Sequence, residues 1–166
     1  MLFTAAGERR SGISKKEFFA SWTGADGPPP ALWCDMAAGI SSPPDSFHEH
    51  ALHPVSTIEA VTRGTLSIEY RGKTWKLEEG DVIFLAAGEY NRLDTGNNGC
   101  SKIFVAITGF ELENLTRSLF GGHILFRLRP ETFRKVLETV ERLTRLLNEK
   151  KSVPDVSAEV FRLMME

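Results

Sequence analysis

From Gly64 to Asn91 the chain reads GTLSIEYRGKTWKLEEGDVIFLAAGEYN, and polar and apolar residues alternate through its first part. Leu66, Ile68 and Tyr70 are separated by Ser67 and Glu69, with Thr65 and Arg71 outside them. A period of two predicts a strand with one buried face. Arg71-Gly72 predicts a tight turn, because glycine accepts positive φ, and Lys73 to Leu77 leads back. Glu79-Gly80 turns the chain again, and the apolar run Asp81 to Ala86 predicts a buried strand. After Ala87-Gly88, Asn91-Arg92-Leu93 opens another extended piece. Short strands at even spacing, joined by glycine turns, predict an antiparallel barrel or sandwich.

Around this centre the pattern changes. Residues 1–14 read as a polar arm, and Ser14 to Trp22 as either a short helix or an extended arm. Phe18, Phe19 and Trp22 stand at helical spacing there. Gly24 to Pro30 breaks any regular element, and Ala31 to Ile40 predicts the first barrel strand. Ser101 to Thr108 is aliphatic or aromatic over most of its length, which predicts a strand buried on both faces. Gly109 to Leu119 predicts a helix with Leu112, Leu115 and Leu119 inward, stopped by Gly121-Gly122.

The clearest helix starts at Pro130 and reaches Asn148. Phe133, Val136, Val140, Leu143 and Leu147 recur in a three-four rhythm, which predicts a seam for self-association. Leu137 and Leu146 widen the stripe, so one edge can also rest on the barrel. Ser152-x-x-Asp155 predicts the cap of a last helix carrying Val156, Val160, Leu163 and Met164. That helix meets no stop signal before Glu166, which predicts a longer parent protein. The expected fold is mainly β: an arm over 1–30, an antiparallel barrel over 31–109, and a helical pair within 110–166.

Composition narrows the function classes. A net charge of −2 provides no global field toward nucleic acid, so any DNA-binding element lies outside this chain. Cys34 and Cys100 have no CxxC partner, which fits two free thiols in a reducing cytoplasm. The first residues, MLFTAAGERRSG, lack the apolar core of a signal peptide. No stretch approaches the roughly 20 apolar residues of a membrane span.

Candidate chemistry gathers at His48, His50 and His53, three of the chain's four histidines. On a strand His48 and His50 share one face. Two neutral imidazoles with a carboxylate suit a divalent transition metal.

Gly80-Asp81, then Ala86, Gly88 and Asn91 at their spacing, resembles the second cupin motif, with alanine replacing its proline and asparagine its last histidine. His48-x-His50 resembles the start of the first cupin motif. Ser56 to Gly109 is most similar to the N-terminal sensor domain of AraC-type transcription regulators. The matching pieces are IEAVTRG (58–64), GDVIFLAAG (80–88) and SKIFVAITG (101–109). The likeness covers roughly residues 31 to 166.

This resemblance implies a cupin-like jelly-roll barrel that binds a small effector, often a sugar, and a homodimer formed through the helix over 130–148. Promoter DNA would be bound by a separate helix-turn-helix domain. The family's inward glutamate position falls on Thr57, and strand parity places Glu59, Val61 and Arg63 on the same face unless a bulge intervenes. The implied ligand contacts are Glu59, Asn91, His48 and Arg63, with Trp33, Trp75, Tyr90 and Phe104 as stacking surfaces. An ion pair of Glu59 with Arg63 or Arg92 is the competing reading. Asn91 is a poor ligand for zinc, nickel or copper, so the expectation is no bound metal, no cofactor and no catalysis. A metal-dependent cupin isomerase or dioxygenase using His48 and His50 is the alternative.

Overall fold

The long strand of the central segment, Ser56–Tyr70, belongs to two sheet regions and bends between them. The computed structural model describes residues 8–12, 14–21 and 30–166. In chain order the strands are β1 (Glu8–Ser11), β2 (Lys15–Ser21), β3 (Trp33–Ser42), β4 (Phe47–His50) and β5 (Ser56–Tyr70). They continue as β6 (Lys73–Glu78), β7 (Asp81–Leu85), β8 (Asn91–Asp94), β9 (Cys100–Thr108) and β10 (Leu125–Arg127). Helix α1 (Leu112–Phe120) precedes β10, and α2 (Pro130–Asn148) and α3 (Val153–Met165) follow it.

All pairings are antiparallel along the path β1-β4-β8-β5-β9-β3-β2. The first half of β5 also pairs β7, its second half pairs β6, and β10 pairs β7. The result is a curled antiparallel half-barrel. Gly64 stands where β5 changes partners: it is the last residue paired with β9, and Thr65 is the first paired with β6. Its φ is +82, and a Cβ there would lie 2.6 Å from the Gly99 carbonyl oxygen, so only glycine fits the bend without strain.

Alternation produces two cores. Leu66, Ile68 and Tyr70 point inward with Val61, Leu77, Ile83, Leu85 and Leu93, filling the barrel. Their strand neighbours Ile58, Ala60, Val82 and Phe84 point outward, with Ile103, Val105 and Ile107, beneath the helices. The turn Arg71-Gly72 has φ +51 and +68, the primed hairpin geometry that matches strand twist.

The sheet begins earlier than residue 31. Of the two alternatives for this segment the extended one holds: Lys15–Ser21 is a strand that pairs β3 from Lys15 opposite Ser41 to Ser21 opposite Met36. Trp22, the breaker over 24–29 and residues 1–7 lie outside the described residues. Helix α1 buries Leu112 and half-buries Leu115, yet Leu119 is 37% exposed. Gly121 ends it in the left-handed region, with its N–H donating to the Arg117 carbonyl. Ser152 Oγ caps α3 by accepting from the Asp155 N–H, as the sequence predicts.

The seam expected to face a partner faces inward. Val136, Val140, Leu143 and Leu147 are 3%, 2%, 0% and 1% exposed, and they lie in the core shared with the sheet and α3. Phe133 is half-buried against the same core. A three-four stripe records burial, whichever surface supplies it. Each such side chain contributes roughly 1.5–3 kcal/mol by leaving water.

Candidate functional site

One end of the barrel interior is polar. Strand β4 brings His48 and His50 to a common face, with ring centroids 4.2 Å apart. His53, just beyond it, meets His50 edge-on at 4.6 Å, and its Nδ1 bonds the Val55 carbonyl. The β4–β8 pairing sets His50 opposite Asn91, and the β5–β8 pairing sets Tyr70 opposite Asn91 from the other side. Strand β5 supplies Thr57 and Glu59, and β9 supplies Lys102 and Phe104.

Glu59 has a side-chain exposure of only 5%, and its Oε2 receives a charged hydrogen bond from Lys102 Nζ, itself 12% exposed. Thr57 Oγ1 donates to Glu59 Oε1 at 3.3 Å. Burial pushes the Glu59 carboxyl up, but the Lys102 ammonium and its hydrogen bond, with His53 and His48, outweigh it and hold the group below its ordinary value. Glu59 is therefore an ionised acceptor inside the barrel. Lys102 Nζ also lies 5.9 Å from the Phe104 ring centroid.

Asn91 is the most informative residue of the group. It is 0% exposed, and both its Oδ1 and Nδ2 lack a hydrogen-bond partner among the described residues. Burying an amide without partners costs about 1–3 kcal/mol for each group left unmet. Native interiors rarely tolerate such a group unless it has a role. Asn91 presents a donor and an acceptor to the barrel interior.

Of the expected contacts, His48 lies close enough to act on the Glu59 carboxylate, and its ring neighbour His50 is paired opposite Asn91. Arg63 does not join them, because the β5–β9 register shifts between Val61 and Arg63. That bulge turns Arg63 out to solvent. Trp33 is 4% exposed but lies in the core beneath the helices, outside the barrel. Tyr90 is 36% exposed on the surface. Trp75 packs against the barrel core, and Phe104 stands opposite Glu59. The partner of Glu59 is neither Arg63 nor Arg92: Arg92 pairs with Glu49 at 3.2 Å.

Lys102 is the residue sequence reasoning missed. In SKIFVAIT it alternates with Ile103, Val105 and Ile107, on the face of Phe104 and Ala106. Strand parity alone would have shown it facing the barrel. Among the described residues, no group of three or more His, Cys, Asp or Glu side chains is arranged to hold a metal ion.

The description AraC-like ligand-binding domain matches residues 34–164 of the chain. The chain belongs to the AraC-like ligand-binding domain family. The AraC-like match spans β3 through most of α3, so it includes every member of the polar cluster. No curated protein matches the chain significantly. Among solved structures, a Schizosaccharomyces pombe Cnp3 cupin domain is similar at 14% identity, covering 63% of this chain and 74% of that one, with a TM-score of 0.44. A predicted oxalate decarboxylase from Thermotoga maritima is similar at 26% identity over 45% of this chain and 66% of that one (TM-score 0.41). A Bacillus subtilis oxalate decarboxylase is similar at 16% identity over 60% of this chain, which spans 24% of that enzyme (TM-score 0.41). Among the described residues of this AraC-like domain, no helix is long and apolar enough to cross a membrane.

Proposed function

We propose that this AraC-like domain senses a small, uncharged, hydroxyl-rich effector, a saccharide or similar polyol, inside its barrel. The observation that carries the reading is Asn91, wholly buried with both amide atoms unmatched among the described residues, across from His50, whose ring neighbours His48 and His53 act on the Glu59 carboxylate. A polyol hydroxyl both donates and accepts, so it can satisfy Asn91 while donating to the ionised Glu59. Because Lys102 already neutralises Glu59, an uncharged ligand leaves that balance intact. Phe104 offers a ring face beside the pair.

In this reading the chain is a sensor and not an enzyme. It pairs with a second copy through surface other than the buried seam of α2, and a separate helix-turn-helix domain binds promoter DNA. A calorimetric screen of neutral saccharides and polyols tests the effector class. The expected result is a saturable hit that Asn91→Ala and Thr57→Val each weaken at least tenfold. Hits confined to apolar or anionic compounds would refute the saccharide assignment.

A further inference from the structure

A cavity of about 210 Å³ lies on the opposite side of the sheet from the polar cluster, between the barrel and the helices. Its floor is the outer face of β5 and β7, formed by Ile58, Val82 and Phe84. Phe120 at the end of α1 and Phe126 on β10 form one wall, and Val136, Leu163 and Met164 of α2 and α3 form the other. Leu119, on the exposed side of α1, stands at the lining with Glu166, whose carboxylate is 3.7 Å from Lys135.

We propose that this cavity is a second small-molecule site, selective for an uncharged aromatic compound of one or two rings. Volume limits the occupant: an apolar cavity of about 150 Å³ stays dry and takes benzene, so this one admits a benzene- to indole-sized molecule but no helix or long acyl chain. Shape favours an aromatic ring. Phe84 and Phe120 meet at 5.7 Å and 62°, and Phe120 and Phe126 at 5.1 Å and 60°. Such tilted rings present edges to a further ring in the arrangement aromatic pairs prefer. Charge excludes anions, because Glu166 is the one charged residue among the described residues of the lining and it already pairs with Lys135. A cation would compete with Lys135 and then have to bury its charge among aliphatic groups.

The site differs from the polar interior in chemistry and lies on the other face of the sheet. It shares only the strands: Ile58 faces the cavity, and its neighbour Glu59 faces the barrel.

The test is a titration of the AraC-like domain with indole and with benzene, followed by methyl NMR. The expected result is saturable, one-to-one binding with shifts centred on Ile58, Leu128, Val136, Leu163 and Met164. Leu119→Trp fills the cavity from its exposed side and should weaken indole at least tenfold. Leu128→Phe, at a second lining position, should do the same. Asn91→Ala, inside the barrel, should leave indole affinity unchanged. Shifts that never saturate, or an indole affinity unchanged from the parent in both filling variants, would overturn the proposal. Loss of binding in Asn91→Ala alone would place the probe in the barrel and overturn it too. Shifts that follow protein concentration and not probe would assign the cavity to a second copy of the chain and likewise refute it.

Discussion

Replacing Lys102 by methionine is the sharpest test of the barrel interior. The substitution keeps the length of the side chain and removes the ammonium, leaving Glu59, 5% exposed, with Thr57 as its remaining hydrogen-bond donor. Breaking a buried ion pair from one side costs about 3–5 kcal/mol, because the other charge stays buried and uncompensated. Both partners are well under one-third exposed, so solvent screening removes little of this. Domains of this size hold together by roughly 5–15 kcal/mol, so the variant should fold with much less reserve. With an m-value of about 2 kcal/mol/M, the urea midpoint should fall by roughly 1.5–2.5 M.

The pH dependence carries the mechanism. In the parent the Glu59 pKa is lowered, so its contribution is complete above the unfolded carboxyl value, about 4.3, and is lost as pH falls through the folded value. Without Lys102 the largest remaining influence is burial, which raises the pKa. The deficit of the variant should therefore be greatest at neutral pH and shrink as acid protonates Glu59. Urea unfolding at pH 5 and pH 8, followed by circular dichroism, reads both. A double variant, Lys102→Met with Glu59→Gln, should recover most of the loss at pH 8. A deficit under about 1 kcal/mol at both pH values would refute the buried-pair argument.

Leu143→Ala should cost about 2–5 kcal/mol in chemical unfolding, because Leu143 is 0% exposed within the chain's own core; an unchanged midpoint would return the seam to a partner. Gly64→Ala should destabilise by about 1–3 kcal/mol, since it forces a side chain into φ +82 and onto the Gly99 carbonyl, and thermal unfolding reads it. Burial pushes the Cys34 thiol up to about 12 and the Cys100 thiol up to about 11. Neither should react with a thiol-disulfide reagent at pH 8 until the chain is unfolded, and fast labelling of the native domain would contradict their placement.

What the sequence exposed was the alternation, the turns and the caps that local geometry dictates. Leu66, Ile68 and Tyr70 alternate because one face of β5 is dry, and the glycine turns follow from the positive φ each demands. Caps behaved likewise: Ser152 and Gly121 sit where their side chain or backbone conformation is needed. Partner choice was less legible. Residues 15–21 carry Phe18 and Phe19 in tandem, which neither a strand nor a helix period identifies, and only the free edge of β3 decides between them. The α2 stripe has the same limit: its period specifies burial, whereas the surface that buries it depends on where the sheet and α3 end up.

The polar cluster divides along the same line. Glu59 and Asn91 are buried on the face that parity predicts, because parity holds over the few residues that separate each from a glycine. Arg63 was lost to one inserted residue: a bulge between Val61 and Arg63 reverses the face of all that follows until Gly64 redirects the strand. Lys102 was lost for the opposite reason, since parity held in β9 but the aliphatic neighbours suggested two dry faces. A strand with one face beneath helices and the other lining a polar interior also looks apolar almost throughout, because residues such as Phe104 and Ala106 suit either side. The single lysine in such a run is then the signal: burying it demands a partner of opposite charge, and in this fold the inward carboxylate of the neighbouring strand is Glu59.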